Sequence, residues 1–308
     1  MKILVTGGRG FIGSHFVEEA LKKGYQIVDI DKMTYAANKK LPWDNNPNYT
    51  LIVEDIANLK HLPSCEILIN FAAESHVDNS IRDTDPFMKS NILGTHNLLE
   101  LVRGKPEYDR PLFFHISTDE VYGDRLKGAF VEDDRLNPSN PYSASKAAAE
   151  MLVLSYRRTY GLNYIITRSA NNYGPRQYEE KLIPKCISSI QNNKKIPIHG
   201  DGTYIRDWTY VKDNVDALLF LIYRSSDKKV INEIYNVAAE IHLQNINVVG
   251  QICDKMKVDL DEAIQFVPNR WGQDLRYSIS SNKIRSLGWA PKYSKEELEL
   301  EWVNEKDR

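Results

Sequence analysis

Apolar residues fall in short unbroken runs along the first half of the chain, separated by stretches with helical spacing. "KILVT" (2–6), "YQIVDID" (25–31), "YTLIVED" (49–55), "EILINFAA" (66–73), "LFFHIST" (112–118) and "LNYIITRSA" (162–170) each read as a strand. Strands without polar alternation, spaced by helices, predict a parallel sheet covered on both faces. "GSHFVEEALKKG" (13–24) predicts an amphipathic helix stopped at Gly24, and 85–102 predicts another. The fold class expected is α/β, a Rossmann-type doubly wound parallel sheet with a smaller α/β lobe. Beyond Asn172 the texture turns to Pro, Gly, Asn and charge, with shorter strands. Residues 1–172 are expected to form the dinucleotide-binding unit, joined by about 208–236. Of that return, 208–225 reads as a helix. Residues 173–308 are expected to form mainly the ligand-binding lobe.

Composition narrows the classes. The 308 residues include 40 Lys+Arg and 42 Asp+Glu, a net charge of −2. No nucleic-acid footprint follows from that balance. Cys65, Cys186 and Cys253 have no metal spacing and read as reduced core thiols. No apolar run nears the ~18 residues that span a bilayer, and "MKILVTGG" lacks a leader's apolar core. A cytoplasmic protein with no membrane, nucleic-acid or metal partner is expected.

Two motifs carry chemistry. In "TGGRGFIGSH", Gly7, Gly10 and Gly13 lie between the first strand and the first helix, with Phe11 and Ile12 opening that helix. This context suits a dinucleotide pyrophosphate at a helix N-terminus. Asp31, 18 residues after Gly13, suits ribose hydroxyls and repels a 2′-phosphate, favouring NAD over NADP; Lys32 and Thr34 follow it. Asp55, before Ile56, reads equally as an adenine contact or a helix N-cap. Ala72, Ala73 and Ser75 end the fourth strand with small residues beside the expected ribose.

The second motif is "NPYSASKAAAE". Asn140 and Pro141 start a helix on which Tyr142 and Lys146 share a face. An ammonium there draws a phenol toward its phenolate. "STDEVYGD" places Thr118, Asp119 and Glu120 at a strand end, where a solvated turn is the plain alternative.

With these motifs the chain resembles the extended short-chain dehydrogenase/reductase family, and within it the nucleotide-sugar 4,6-dehydratases that act on dTDP-glucose. The resemblance runs over nearly the whole chain. It rests also on "DKMTYA", "FAAESHVD", "NNYGPRQYEEKLIP", "GDGTYIRDWTYV" and "NRWGQDLRY". It implies NAD as cofactor, held also by Tyr142, Lys146 and Asn172. It implies an NDP-glucose substrate, dTDP or UDP, and a homodimer through 85–102 and 142–158. By resemblance Tyr142 removes the O4 proton, Thr118 bonds O4 and Lys146 holds the nicotinamide ribose. Asp119 is the acid for the leaving hydroxyl and Glu120 the base at C5. Epimerases of the superfamily generally lack the Thr-Asp-Glu triplet.

The resemblance assigns substrate contacts to Ser75, Asn171, Lys181, Leu182, Pro197, His199, Arg206, Asn269, Arg270 and Tyr277. Arg206 suits a bidentate phosphate grip or an ion pair with Asp207. His76 and His199 receive no catalytic role. The chain departs from the dTDP-glucose pattern at His199, at Ala238–Ile241 and over Asn269–Asp274. Those departures surround the base and leave thymine and uracil both open.

Overall fold

The computed structural model describes residues 1–269 and 271–304. Its strands are, in chain order, β1 (Lys2–Thr6), β2 (Gln26–Asp31), β3 (Tyr49–Val53), β4 (Ile67–Asn70), β5 (Leu112–Thr118), β6 (Tyr164–Ser169), β7 (Asn171–Tyr173), β8 (Ile196–His199), β9 (Ile205–Tyr210), β10 (Glu233–Val237), β11 (His242–Gln244) and β12 (Ile264–Val267). Seven of them make one parallel sheet in the order β10-β6-β5-β4-β1-β2-β3. This is the Rossmann-type arrangement the apolar runs predict.

The runs are unbroken because both faces are buried. Ile3 and Val5 enter one core with Phe16, Val17, Leu218 and Leu221. Leu4 points the other way, into a core with Leu98, Leu99, Phe113 and Val153. Alternate residues of a strand face opposite sides, so a two-faced sheet needs apolar residues at every position.

Two expected helices differ in detail. The helix over 85–102 is instead three joined pieces: Asp85–Phe87, a π-helical Met88–Leu93, and Gly94–Arg103. The helix expected from Trp208 starts at Val211, because Trp208–Tyr210 belong to β9. Helix Val211–Tyr223 then leads toward β10, which pairs with β6 at the sheet edge.

The later residues build two small sheets, β11-β9-β7 and β12-β8. With helices Leu182–Gln191 and Asn245–Met256 they enclose a second core, including Tyr173, Ile187, Trp208 and Ile252. Cys186 and Cys253 are buried there, Cys65 is half-buried, and all three are free thiols. Among the described residues no helix is long and apolar enough to cross a membrane.

Candidate active site

The sheet reverses direction of winding at β1, between β4 and β2, and a cleft opens beyond the carboxyl ends of these strands. The glycine turn forms its floor. Gly7 has φ +74°, and a Cβ there would sit 2.7 Å from the Ala72 backbone nitrogen. A Cβ on Gly13 would sit 2.2 Å from the Gly7 carbonyl oxygen. Only glycine permits this packing of turn, helix and neighbouring strand end. Helix Phe11–Lys22 then points its free N–H groups at the cleft.

Two acids on one face of β2 fasten the turn. Asp29 accepts from the Gly8 amide at 2.9 Å and Asp31 from the Arg9 amide at 3.0 Å. Asp31 also accepts from Met33 N, and burial raises its pKa. Asp29 is not one of the residues the motifs pick out. Its signal was a carboxylate inside an apolar run, two residues before Asp31. A Cβ on Gly8 would lie 2.5 Å from that carboxylate. Asp55 caps no helix, since only a turn follows β3; it accepts from Ala57 N at 2.9 Å within that turn and lines the cleft.

Across the cleft, β5 runs buried to Thr118. The Thr118 Oγ1 accepts from Glu120 N and starts the short turn Asp119–Tyr122. Asp119 is 2% exposed, and its Oδ2 has no hydrogen-bond partner among the described residues. Burial, then the Glu120 and Asp207 carboxylates, push its pKa well above the carboxylate range. The alternative of a solvated turn fails at Asp119 for that reason. Glu120 is half-buried and lines the same cleft.

The reciprocal Asn140–Ser143 cap starts helix Pro141–Tyr160, with the Asn140 side chain accepting from Ser143 N at 3.0 Å. Tyr142 and Lys146 follow on its buried face, and Tyr142 shares a hydrogen bond with Thr118. The ammonium of Lys146 donates to the Ile116 carbonyl at 2.6 Å. It therefore does not draw the phenol down as the spacing suggests. Burial, then the Glu120 carboxylate, raise the Tyr142 pKa, and burial lowers Lys146 to about 8.

Two supports escape sequence reading. Asn91 bonds both backbone groups of Glu74 and donates to Ser145 Oγ at 2.8 Å, joining the end of β4 to the Tyr142 helix. It sits in the π-helical turn, which no apolar spacing announces. Beneath β5, Ser117 bonds Glu150, which pairs with Arg168 at 2.7 Å; Arg168 in turn holds the Tyr122 hydroxyl.

The cleft gathers Gly7, Gly10, Phe11, Ile12, Gly13, Asp31, Lys32, Thr34, Asp55, Ile56, Ala72, Ala73, Ser75, Thr118, Asp119, Glu120, Tyr142, Lys146, Asn171, Asn172 and Lys181. Leu182, Pro197, His199, Arg206, Asn269 and Tyr277 are not in its lining. Arg206 is 5% exposed, bonds the Ile205 and Asp274 carbonyls rather than Asp207, and lies 4.2 Å over the Tyr277 ring. Arg206 bears on the Asp119 charge and Glu120 on Tyr277, so this group borders the acid pair. His199 bonds the Pro268 carbonyl, and the Asn269 amide lies against Gly200. Arg270 lies outside the described residues. No group of three metal-ligating side chains occurs among the described residues.

A turn-and-helix dinucleotide cradle facing a Tyr/Lys pair defines an enzyme of the extended short-chain dehydrogenase/reductase class. Residues 4–301 match the family model described as GDP-mannose 4,6 dehydratase, and the chain belongs to that family and is an enzyme of it. It is 42% identical over 304 residues to the low-salt glycan biosynthesis protein Agl12 of Haloferax volcanii, covering 96% of each chain. It is 39% identical over 325 residues to the dTDP-glucose 4,6-dehydratase of Haemophilus influenzae, covering 96% of this chain and 95% of that protein. The structure of DesIV, a dTDP-glucose 4,6-dehydratase from Streptomyces venezuelae with NAD and TYD bound, superimposes with a TM-score of 0.88 at 36% identity. That match covers 96% of this chain and 93% of DesIV.

Proposed function

We propose that this chain is an NAD-dependent NDP-glucose 4,6-dehydratase, with dTDP-glucose as substrate and UDP-glucose as the second reading. The observation that carries it is the buried, proton-retaining Asp119 beside Glu120, Thr118 and Tyr142 in one cleft. An epimerase moves a hydride at C4 and returns it, which asks for one acid/base group. Dehydration also removes the C5 proton and the C6 hydroxyl, and so asks for a second acid and a second base.

The cradle fits NAD. Gly7 and Gly13 leave no room for side chains, Asp31 stands where a 2′-phosphate would be repelled, and the Asn172 Oδ1 is buried without a partner among the described residues. When bound, NAD would supply the hydride chemistry, as acceptor at C4 and donor at C6. Of this chain's residues, Tyr142 takes the O4 proton, with Thr118 bonding the same oxygen. Glu120 takes the C5 proton, acidified by the neighbouring ketone. Asp119 donates to the departing C6 hydroxyl; its raised pKa keeps that proton available. Lys146 holds the nicotinamide ribose. In this reading residues 1–172 with about 208–236 carry NAD, and 173–308 carry the nucleotide through Asn171, Lys181, Arg206 and Tyr277. A homodimer through the surfaces near 85–102 and 142–158, in the cytoplasm, belongs to the same reading. Exposed Leu93 and Met151 on those surfaces support the dimer.

The test is incubation with dTDP-glucose and UDP-glucose separately, followed by mass spectrometry. Loss of one water from dTDP-glucose is expected. Conversion of UDP-glucose to UDP-galactose, with no 6-deoxy-4-keto product, would sink the dehydratase reading.

A further inference from the structure

The segment from Gly174 to Lys181 enters the cleft wall with an unusual fastening at its start. Arg176 has φ +66°, a left-handed conformation that a side chain other than glycine rarely adopts. Gly174, two residues earlier, has φ +148°. Strain of this kind persists only where the surroundings over-determine it, and here they do. The Arg176 guanidinium meets Glu18 Oε2 and His15 Nδ1, both at 2.7 Å, and lies 5.2 Å over the Trp43 ring. Glu18 and His15 belong to the helix Phe11–Lys22 that the glycine turn opens. The opposite nitrogen of His15, Nε2, lies 2.8 Å from the Pro175 carbonyl. A carbonyl only accepts, so Nε2 carries the proton and Nδ1 accepts from Arg176. Burial and the Arg176 charge hold His15 neutral, with its pKa down to about 4, which preserves this arrangement.

Beyond the clasp, Gln177, Tyr178, Glu180 and Lys181 line the cleft. The segment is fastened again at its far end. Tyr178 packs edge-on to Tyr35 at 5.2 Å, the Tyr35 hydroxyl lies 3.2 Å from Glu180, and Lys181 donates to the Ser75 carbonyl at 2.7 Å. One end is thus tied to the outer side of the glycine-turn helix and the other to loops after β2 and β4. The cleft wall lies between the two ties.

We propose that Arg176 is a positioning residue: its clasp on His15, Glu18 and Trp43 holds the 174–181 segment as a strap along the dinucleotide cleft, and so retains the cofactor through the catalytic cycle. Arg176 does not line the cleft itself and acts through the residues that follow it. The proposal rests on the reading of the cleft as the NAD site, not on the choice of sugar nucleotide. Retention matters because the hydride leaves and returns to the same substrate; a cofactor lost between the two steps strands a keto sugar.

The experiment uses the purified holoenzyme and follows release of bound NAD after rapid dilution, for the unaltered chain, Arg176→Ala, Arg176→Lys and Glu18→Gln. Losing a charge-assisted bond speeds release by about tenfold or more. Arg176→Ala is therefore expected to release NAD at least that much faster. Arg176→Lys, which keeps the charge but loses the fork and the stack, is expected to fall between. Glu18→Gln, at a partly exposed site away from the cleft, guards against misfolding of the Arg176 variants and is expected to shift release in the same direction. During turnover, Arg176→Ala is expected to lose activity progressively and regain it on addition of free NAD. Unchanged release in a folded Arg176→Ala, or a constant activity loss that added NAD does not restore, would overturn the proposal. A holoenzyme that never contains NAD would instead overturn the reading of the cleft.

Discussion

At the residue scale, the two neighbouring acids share one cleft wall but differ in burial. Asp119 is 2% exposed, and burial raises its pKa; Glu120 is half-buried, and its carboxylate raises both Asp119 and Tyr142. Adjacent carboxylates that titrate apart can serve as acid and base. On the proposed dehydratase reading, Glu120→Gln would remove the C5 base and leave C4 oxidation in place. Mixing that variant with dTDP-glucose is expected to produce a lasting rise in reduced-nicotinamide absorbance, with overall turnover down by about a hundredfold or more. Normal turnover would remove Glu120 from the C5 step. On the same reading Asp119→Asn is expected to stall at the same stage, since a side-chain amide is far too weak an acid to protonate the leaving hydroxyl. Thr118, Asp119 and Glu120 were legible as a unit because they follow an apolar run. Their difference in burial was not legible. The raised pKa of Asp119 depends first on burial by the folded chain, and then on charges such as Asp207, which is near in space and far along the chain.

At the element scale, the glycine turn and the Tyr142 helix are legible because each is specified locally. A strand, a glycine spacing and a cap are short-range signals. Asn91 and the Glu150–Arg168 pair were missed because their partners are distant: Asn91 touches Glu74 and Ser145, and Glu150 reaches across to β6. The boundary at Val211 was missed for a related reason. "WTY" can continue a helical pattern, and its pairing with β7 makes it the end of strand β9. The cap supports a direct prediction. Asn140→Ala leaves the Ser143 amide without its acceptor and costs about 1 kcal/mol of stability by denaturant melting. Because Tyr142 sits on the helix's first turn, kcat is expected to fall more than KM changes. An equal loss of stability with unchanged kcat would show that the cap holds the helix without aligning the phenol.

At the scale of the whole molecule, several buried carboxyls give stability a common pH dependence. Asp29 is buried under the glycine turn, bonded by Gly8 N and by the Tyr49 hydroxyl at 2.8 Å, and burial raises it to about 7. Asp207 is fully buried and rises to about 8 for the same reason. Unfolded, each returns to the ordinary carboxylate value of 3.8. The folded chain therefore binds more protons than the unfolded chain between these values. The stability each group contributes is fully present below 3.8 and is lost as pH rises through about 7 and 8. The direction is opposite to that of a salt-bridged carboxylate. Asp29→Asn keeps an acceptor for Gly8 N and removes the titration. Its melting temperature is expected to depend less on pH between 5 and 8 than that of the unaltered chain, with the gain largest at pH 8. An unchanged dependence in the variant would mean that Asp29 is already charged in the folded chain across this range. In that case the Arg9 guanidinium, 2.7 Å from Asp44 and stacked 5.6 Å over Tyr49, stabilises the Asp29 charge more than burial opposes it.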